Sequence, residues 1–276
     1  MKVQHLVLTR YTVKGLFYDE FSPEWLDDRL RIFRTYCVPG MERQTVADYT
    51  WLIFCDESTD PGYVAQIGDS ATSVPQLRIA PTSRERNVRL SQAVAPFIED
   101  DTEILITTRL DSDDSLHTDG VAAIQAYLRG FSRSPYEKWM LTFPRGYRYD
   151  ETTGRLYASF WPHCPFMSMF ERLRPGSKKF RGVYKRNHHK LHLDTPVHFD
   201  ESIPEWLQVL HGVAESTEPR SGTVLTAGNS MTKVGRYDLE VDPAEVKRQL
   251  GADLGEAASR PGQGSSPSPD QASVKA

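Results

Sequence analysis

Apolar runs of strand length alternate with helix-period stretches over the first 145 residues. Val3–Thr9 reads as an opening strand. Ser22-Pro23-Glu24-Trp25 opens a helix, with Ser22 as N-cap and Pro23 at the first helical position, and Leu26, Leu30, Phe33 and Cys37 follow at helical spacing. Thr50–Cys55 is a continuous apolar run that ends in Asp56, the mark of a strand buried on both faces. Gln76–Ala80 is a further short strand. Thr82 or Ser83 then caps a helix carrying Val88, Leu90, Ala93, Val94 and Phe97. Glu103–Thr108 is a second buried strand, Leu116–Phe131 a helix capped by Asp114 or Ser115, and Lys138–Phe143 a strand. This βαβαβα order predicts an α/β, mostly parallel, doubly wound sheet.

Beyond residue 145 the pattern changes. Tyr147-Arg148-Tyr149 and Arg155-Leu156-Tyr157 flank a turn at Asp150–Gly154, a hairpin signal. Loops rich in Pro, Gly, His and basic residues follow. The division expected is one domain over 1–250, with a ligand-binding half at 1–145 and an acceptor-facing half at 146–250. Residues 251–276 hold four Gly, three Pro, five Ser and no aromatic residue, which predicts a disordered tail.

Composition narrows the class. No stretch of about 18 apolar residues occurs, so no integral membrane segment is expected. The N-terminus lacks the apolar core of a signal peptide. Cys37, Cys55 and Cys164 are few, odd in number and widely spaced, as reduced thiols in a cytoplasm would be. A formal net charge of −4 gives no global field for nucleic acid. That small total hides a segregation. Residues 99–119 carry eight acids against one Arg, and residues 172–190 carry eight Lys or Arg against no acid. The basic segment reads as a flexible loop closing over a diphosphate, or as a solvated loop balancing the acids.

The sharpest local feature is Arg109-Leu110-Asp111-Ser112-Asp113-Asp114, which follows the buried strand Ile104–Thr108. Ligands of open α/β sheets bind beyond the carboxyl ends of the strands. Two carboxylates one residue apart can face one Mg²⁺ or Mn²⁺, and such a cation can hold a diphosphate and stabilise it as it leaves. An EF-hand loop starting at Asp111 fails, because its sixth and twelfth positions hold Leu116 and Ala122. A phosphohydrolase of the haloacid-dehalogenase type places its Asp-x-Asp after the first strand, whereas this one follows about the fourth. A solvated acidic loop that caps a helix is the plain alternative. His188, His192 and His198 lack a matched ligand set and read as surface histidines. Trp161, Pro162, His163 and Phe166 suit either a sugar face or the core.

Several segments in order resemble the family described as "putative rhamnosyltransferase", within the GT-A glycosyltransferases. They are Leu8-Thr9-Arg10-Tyr11, Arg43-Gln44-Thr45, Tyr49–Asp56, Arg109–Asp114 and Glu205–Gly212, and the likeness spans roughly residues 3–230. The resemblance implies a GT-A-like mixed sheet in which a nucleotide-binding half merges with an acceptor half. It also implies a nucleotide-diphosphate sugar donor, an acceptor that is a glycan, a lipid or a small molecule, and Mn²⁺ or Mg²⁺. Carried over by residue, Thr9, Arg10, Asp56, Arg86, Arg109 and Asp111 are donor-binding candidates. Asp111, Asp113 and His211 are the metal candidates. The catalytic base is open, with Asp200, Glu201 and Glu205 around Pro204 as weak candidates that read first as helix-start acids. The expected function is a metal-dependent glycosyltransferase, rhamnose being suggested by the family label alone. A metal-dependent phosphohydrolase and a non-catalytic nucleotide-sugar-binding protein are the alternatives. The expected location is cytoplasmic, at most peripheral at the inner membrane face.

Overall fold

The computed structural model describes residues 1–14, 20–83, 90–185, 190, 192–203 and 206–211, and the backbone of 237–241. The strands are β1 (Val3–Thr12), β2 (Thr50–Asp56), β3 (Leu77–Thr82), β4 (Ile104–Arg109), β5 (Ser115–Leu116), β6 (Lys138–Thr142), β7 (Arg145–Asp150), β8 (Arg155–Phe160), β9 (Met167–Arg172), β10 (Val197–Phe199), β11 (Trp206–Leu210) and β12 (Tyr237–Val241). The helices are α1 (Pro23–Ile32), α2 (Val38–Glu42), α3 (Pro61–Ser70), α4 (Leu90–Val94), α5 (Gly120–Ala126) and α6 (Leu128–Ser132).

Seven strands form the main sheet in the order β10-β6-β9-β4-β1-β2-β3. The β1, β2, β3 and β4 pairings are parallel, whereas β9 runs antiparallel to both β4 and β6. The mixed α/β sheet expected from the sequence is therefore present, with β9 as its reversed member. Period-2 alternation serves two buried faces. Val7, Trp51 and Ile53 point to a layer containing Leu30, Phe33, Ile67 and Val121. Leu6, Leu8, Leu52, Phe54 and Leu105 point to the other, built from Ala93, Val94, Leu173 and Val183.

A second sheet has the order β12-β8-β7-β11-β5. The hairpin at Asp150–Gly154 joins β7 to β8 in antiparallel register, while β11 lies parallel to β7. Trp206 on β11 is 1% exposed and stacks on Phe166 at 5.0 Å. Gly146 on β7 makes room for it, since a Cβ there would lie 2.1 Å from the indole.

Ser22 caps α1 by accepting from the Trp25 N–H, and Pro23 opens the helix, as its sequence predicts. The helical path continues through a π-helical turn, Phe33–Cys37, in which the Val38 N–H reaches Phe33 O. Pro39 offers no N–H to the Thr35 carbonyl, which suits a wider turn at this point.

The Leu116–Phe131 helix is a correction. Leu116 lies in β5 and pairs with Trp206, and the helices run Gly120–Ala126 and Leu128–Ser132. A partner 90 residues away overrides the local pattern. Asp114 is no helix cap either: its Oδ1 accepts the Val209 N–H at 2.9 Å. Helix α3, which the periodicity did not predict, is capped by Asp60 through the Gly62 N–H. The helix expected after Thr82 or Ser83 is described from Leu90 onward; Val88 lies outside the described residues, as does the 251–276 tail.

Candidate functional site

β1, β2 and β4 are parallel, so their carboxyl ends bring Arg10, Asp56 and Arg109 to one edge of the sheet. The chain turns immediately after β4, with the Asp114 N–H bonding Asp111 O at 3.1 Å. This turn packs against α1 and the π-helical turn on one side and β11 on the other. Cys37 Sγ lies 3.8 Å from the Asp111 carbonyl.

The three acids have different surroundings. Asp111 is held by two guanidinium groups: Arg109 engages both carboxylate oxygens, and Arg10 Nη2 lies 3.4 Å from Oδ1. Burial pushes the Asp111 carboxyl up, but Arg109, Arg10 and Arg29 outweigh it and hold it well below the usual carboxylate range. Asp113 Oδ2 accepts from Arg29 Nη1 at 2.8 Å and lies 3.0 Å from His211 Nε2. Burial is again opposed, here by Arg29 and the His211 hydrogen bond, and the Asp113 carboxyl falls below its ordinary value. Asp114 is driven well above its ordinary value by burial and by the neighbouring Asp113 and Asp111.

His211 is brought here by β11, whose apolar Trp206–Leu210 run carries it out of the core. Its side chain is 1% exposed, and its Nδ1 is buried without a hydrogen-bond partner among the described residues. Ser112 Oγ and Arg29 Nε are likewise buried and unpartnered there. Polar atoms orphaned this way are costly unless something else satisfies them, and here they cluster around one turn.

These positions bear on a cation. Among the described residues no group of three or more His, Cys, Asp or Glu forms a metal cage. Mg²⁺, however, is commonly held by one or two carboxylates together with substrate phosphates and water. Two adjacent ligands of an octahedral ion at 2.0–2.1 Å lie about 3 Å apart. The Asp113 Oδ2 to His211 Nε2 separation of 3.0 Å is that of a hydrogen bond, and the same spacing would also span one edge of such a sphere with the imidazole in the tautomer that leaves Nε2 bare. Asp111 is the weaker candidate ligand, because both its oxygens face guanidinium groups, whereas the Arg29 and His211 contacts of Asp113 fall on Oδ2 alone.

The other candidates are placed as follows. Thr9 is 0% exposed, with its hydroxyl accepting the Trp51 indole N–H at 2.9 Å; its side chain holds the sheet together. Asp56 is buried at the end of β2 and bonds the Ser58 N–H and hydroxyl. Asp200 follows β10, three strands from β4, and is tied to the Ser202 N–H at 2.7 Å and to Tyr127. Glu201 is exposed, and its carbonyl accepts from Arg145. Arg86, Glu205 and His188 lie outside the described residues. Phe166 is in the core, and His163 stacks on His192 at 4.6 Å.

The sequence reading missed Arg29 and Tyr184. Arg29 sits one turn after Leu26 and next to Leu30, on the buried stripe of α1, where a cation is out of place unless it meets an acid. Tyr184, half-buried within the basic segment, carries Arg10 over its ring at 4.8 Å and Arg109 at 5.7 Å.

Fold and site together define an α/β protein whose sheet edge gathers paired acids, arginines and a histidine around one turn. The family model described as "Putative rhamnosyl transferase" matches residues 18–223, and the chain belongs to this glycosyltransferase family. No curated protein matches it. Among solved structures, S. aureus TarS 1-349 in complex with UDP-GlcNAc is similar at a TM-score of 0.45 and 10% identity, covering 78% of this chain and 62% of that one. The UDP complex gives 0.43 and 9%, covering 75% and 60%. A "putative nucleotide-diphospho-sugar transferase" from Desulfovibrio desulfuricans G20 gives 0.32 and 13%, covering 76% and 80%. The chain thus spans about 60% of the length of these TarS chains. Among the described residues no helix is long and apolar enough to cross a membrane.

Proposed function

We propose that the protein transfers a sugar, rhamnose by the family's description, from a nucleotide-diphosphate donor to an acceptor hydroxyl, and that the donor's diphosphate sits at the carboxyl edge of β1 and β4. The observation that carries this reading is the convergence of Asp111, Asp113, His211, Arg10, Arg29 and Arg109 on the turn after β4.

In this reading Arg10 and Arg109 are the fixed positive partners on the β1 and β4 side, preorganised by Asp111. Asp113 and His211 would hold Mg²⁺ or Mn²⁺, which when bound supplies charge stabilisation to the departing nucleotide diphosphate. Arg29 keeps the Asp113 carboxyl ionised and aimed. Preorganised charge of this kind commonly supplies the largest share of transfer catalysis. The acceptor is a glycan, lipid or small molecule bearing a hydroxyl. Asp200 and Glu201 remain candidates for its general base only if the acceptor reaches toward β10, about 14 Å from β4 at 4.8 Å per strand.

Asp111 is poorly placed to be the nucleophile of a phosphohydrolase, because two guanidinium groups hold its carboxylate. The deciding experiment is transfer and donor hydrolysis over a panel of UDP, GDP and dTDP sugars, with and without Mn²⁺, in the wild type and in Asp113→Ala. Mn²⁺-dependent turnover that disappears in the variant supports the reading. Release of phosphate from simple phosphomonoesters, or activity unchanged in Asp113→Ala, overturns it.

A further inference from the structure

The basic segment after β9 suits, by sequence, a flexible loop that closes on a ligand. Its described part is built otherwise. Glu171, the penultimate residue of β9, is 6% exposed, and its carboxylate faces the segment's own backbone. Oε1 accepts the Arg181 N–H at 2.9 Å and Oε2 accepts the Gly182 N–H at 2.8 Å. Gly182 has φ +65°, and a Cβ there would lie 2.9 Å from the Phe180 ring, so the turn that presents the two N–H groups requires glycine. The next amide, Val183 N–H, bonds Thr107 Oγ1 on β4 at 3.2 Å. Tyr184 then donates its hydroxyl to the Leu8 carbonyl on β1 at 2.9 Å. Leu173 and Val183 are buried in the core, with Phe180 and Tyr184 packed against it, as one cover of the sheet's second face.

Three successive amides and one phenol are therefore bound to three neighbouring strands, β9, β4 and β1, and the Tyr184 ring ends under Arg10 and Arg109, the two guanidinium groups that hold Asp111. We propose that Glu171 latches this segment in place without ligand, and that Tyr184 is thereby a fixed positioning residue that sets Arg10 and Arg109 for the donor diphosphate. The latch stands on its own; the role of Tyr184 rests on the donor reading above.

Hydrogen exchange on the ligand-free protein tests the latch. Amides 181–183 are expected to exchange at least tenfold more slowly than those of the exposed Arg174 and Gly176, and to change less than twofold when UDP and Mn²⁺ are added. Glu171→Gln places an amide NH₂ against one backbone N–H, so exchange at 181–183 should rise at least tenfold while β1 and β4 stay protected. Fast exchange in the free wild type that slows only with UDP and Mn²⁺ overturns the latch in favour of a closing loop, whatever the variants do. For Tyr184, Tyr184→Ala should raise the donor KM about tenfold with kcat within threefold, and Tyr184→Phe, which keeps the ring, should restore KM to within threefold. An unchanged KM in Tyr184→Ala, or a loss that falls on kcat and is not restored by phenylalanine, overturns the positioning role. Slow exchange at 181–183 in a protein that takes up no nucleoside diphosphate would keep the latch and overturn the donor reading together with the role of Tyr184.

Discussion

Asp111 and Asp113 are separated by one residue, are half-buried alike, and have different chemistry. Asp111 faces the main sheet, where Arg10 and Arg109 saturate it. Asp113 faces α1 and β11, where one guanidinium and one imidazole share a single oxygen. The difference comes from the chain path: β4 delivers Arg109 and Asp111 on its own strand end, whereas Asp113 is met by elements 84 residues before it and 98 residues after it. On the proposed reading, this divides the acidic pair into a structural acid that fixes arginines and an acid that would meet a cation.

The largest expected effect breaks the pair on its α1 and β11 side. Asp113→Asn should lower sugar transfer by on the order of 10³-fold, as loss of a preorganised charge does, with the fold intact by circular dichroism. Next comes the sheet side: Arg109→Met leaves Asp111 with Arg10 alone and should cost about 3 kcal/mol in a denaturant titration, near the lower end for breaking a buried pair. If Arg109→Met proves stable but loses Mn²⁺ binding, the division of labour is wrong. His211→Ala should weaken Mn²⁺ binding by about tenfold to a hundredfold, the range found for residues that support a metal site, measured in the presence of a nucleoside diphosphate. The smallest effect sharpens the role of α1. Ser22→Ala removes the cap of the helix that carries Arg29 and should cost about 1 kcal/mol by thermal denaturation, with Mn²⁺ binding retained.

What was legible in the sequence follows the same line. β2, β4 and β6 each carry a short apolar run bounded by polar residues, and strands buried on both faces must read that way. The start of α1 is readable because Ser22 and Pro23 act through local geometry alone. His211 is readable because β11 carries it out of an apolar run. Long-range partners are not readable in this way. Leu116 looks helical and becomes a strand through Trp206. Asp114 looks like a cap and instead binds the Val209 N–H. Arg29 stands out as a cation on the apolar stripe of α1, but nothing in the sequence names the acid it meets, Asp113. Tyr184 is one aromatic residue in a run of bases, and only the Leu8 carbonyl and the two arginines give it a place.

The most direct test is calorimetric titration of UDP, GDP and dTDP, with and without Mn²⁺, into the wild type, Asp111→Asn and Asp113→Asn. One nucleotide should bind the wild type more tightly with Mn²⁺. Asp113→Asn should lose that Mn²⁺-dependent gain, and Asp111→Asn should weaken binding equally with and without the ion. Nucleotide binding indifferent to Mn²⁺, or a gain that survives Asp113→Asn and vanishes in Asp111→Asn, would contradict the account.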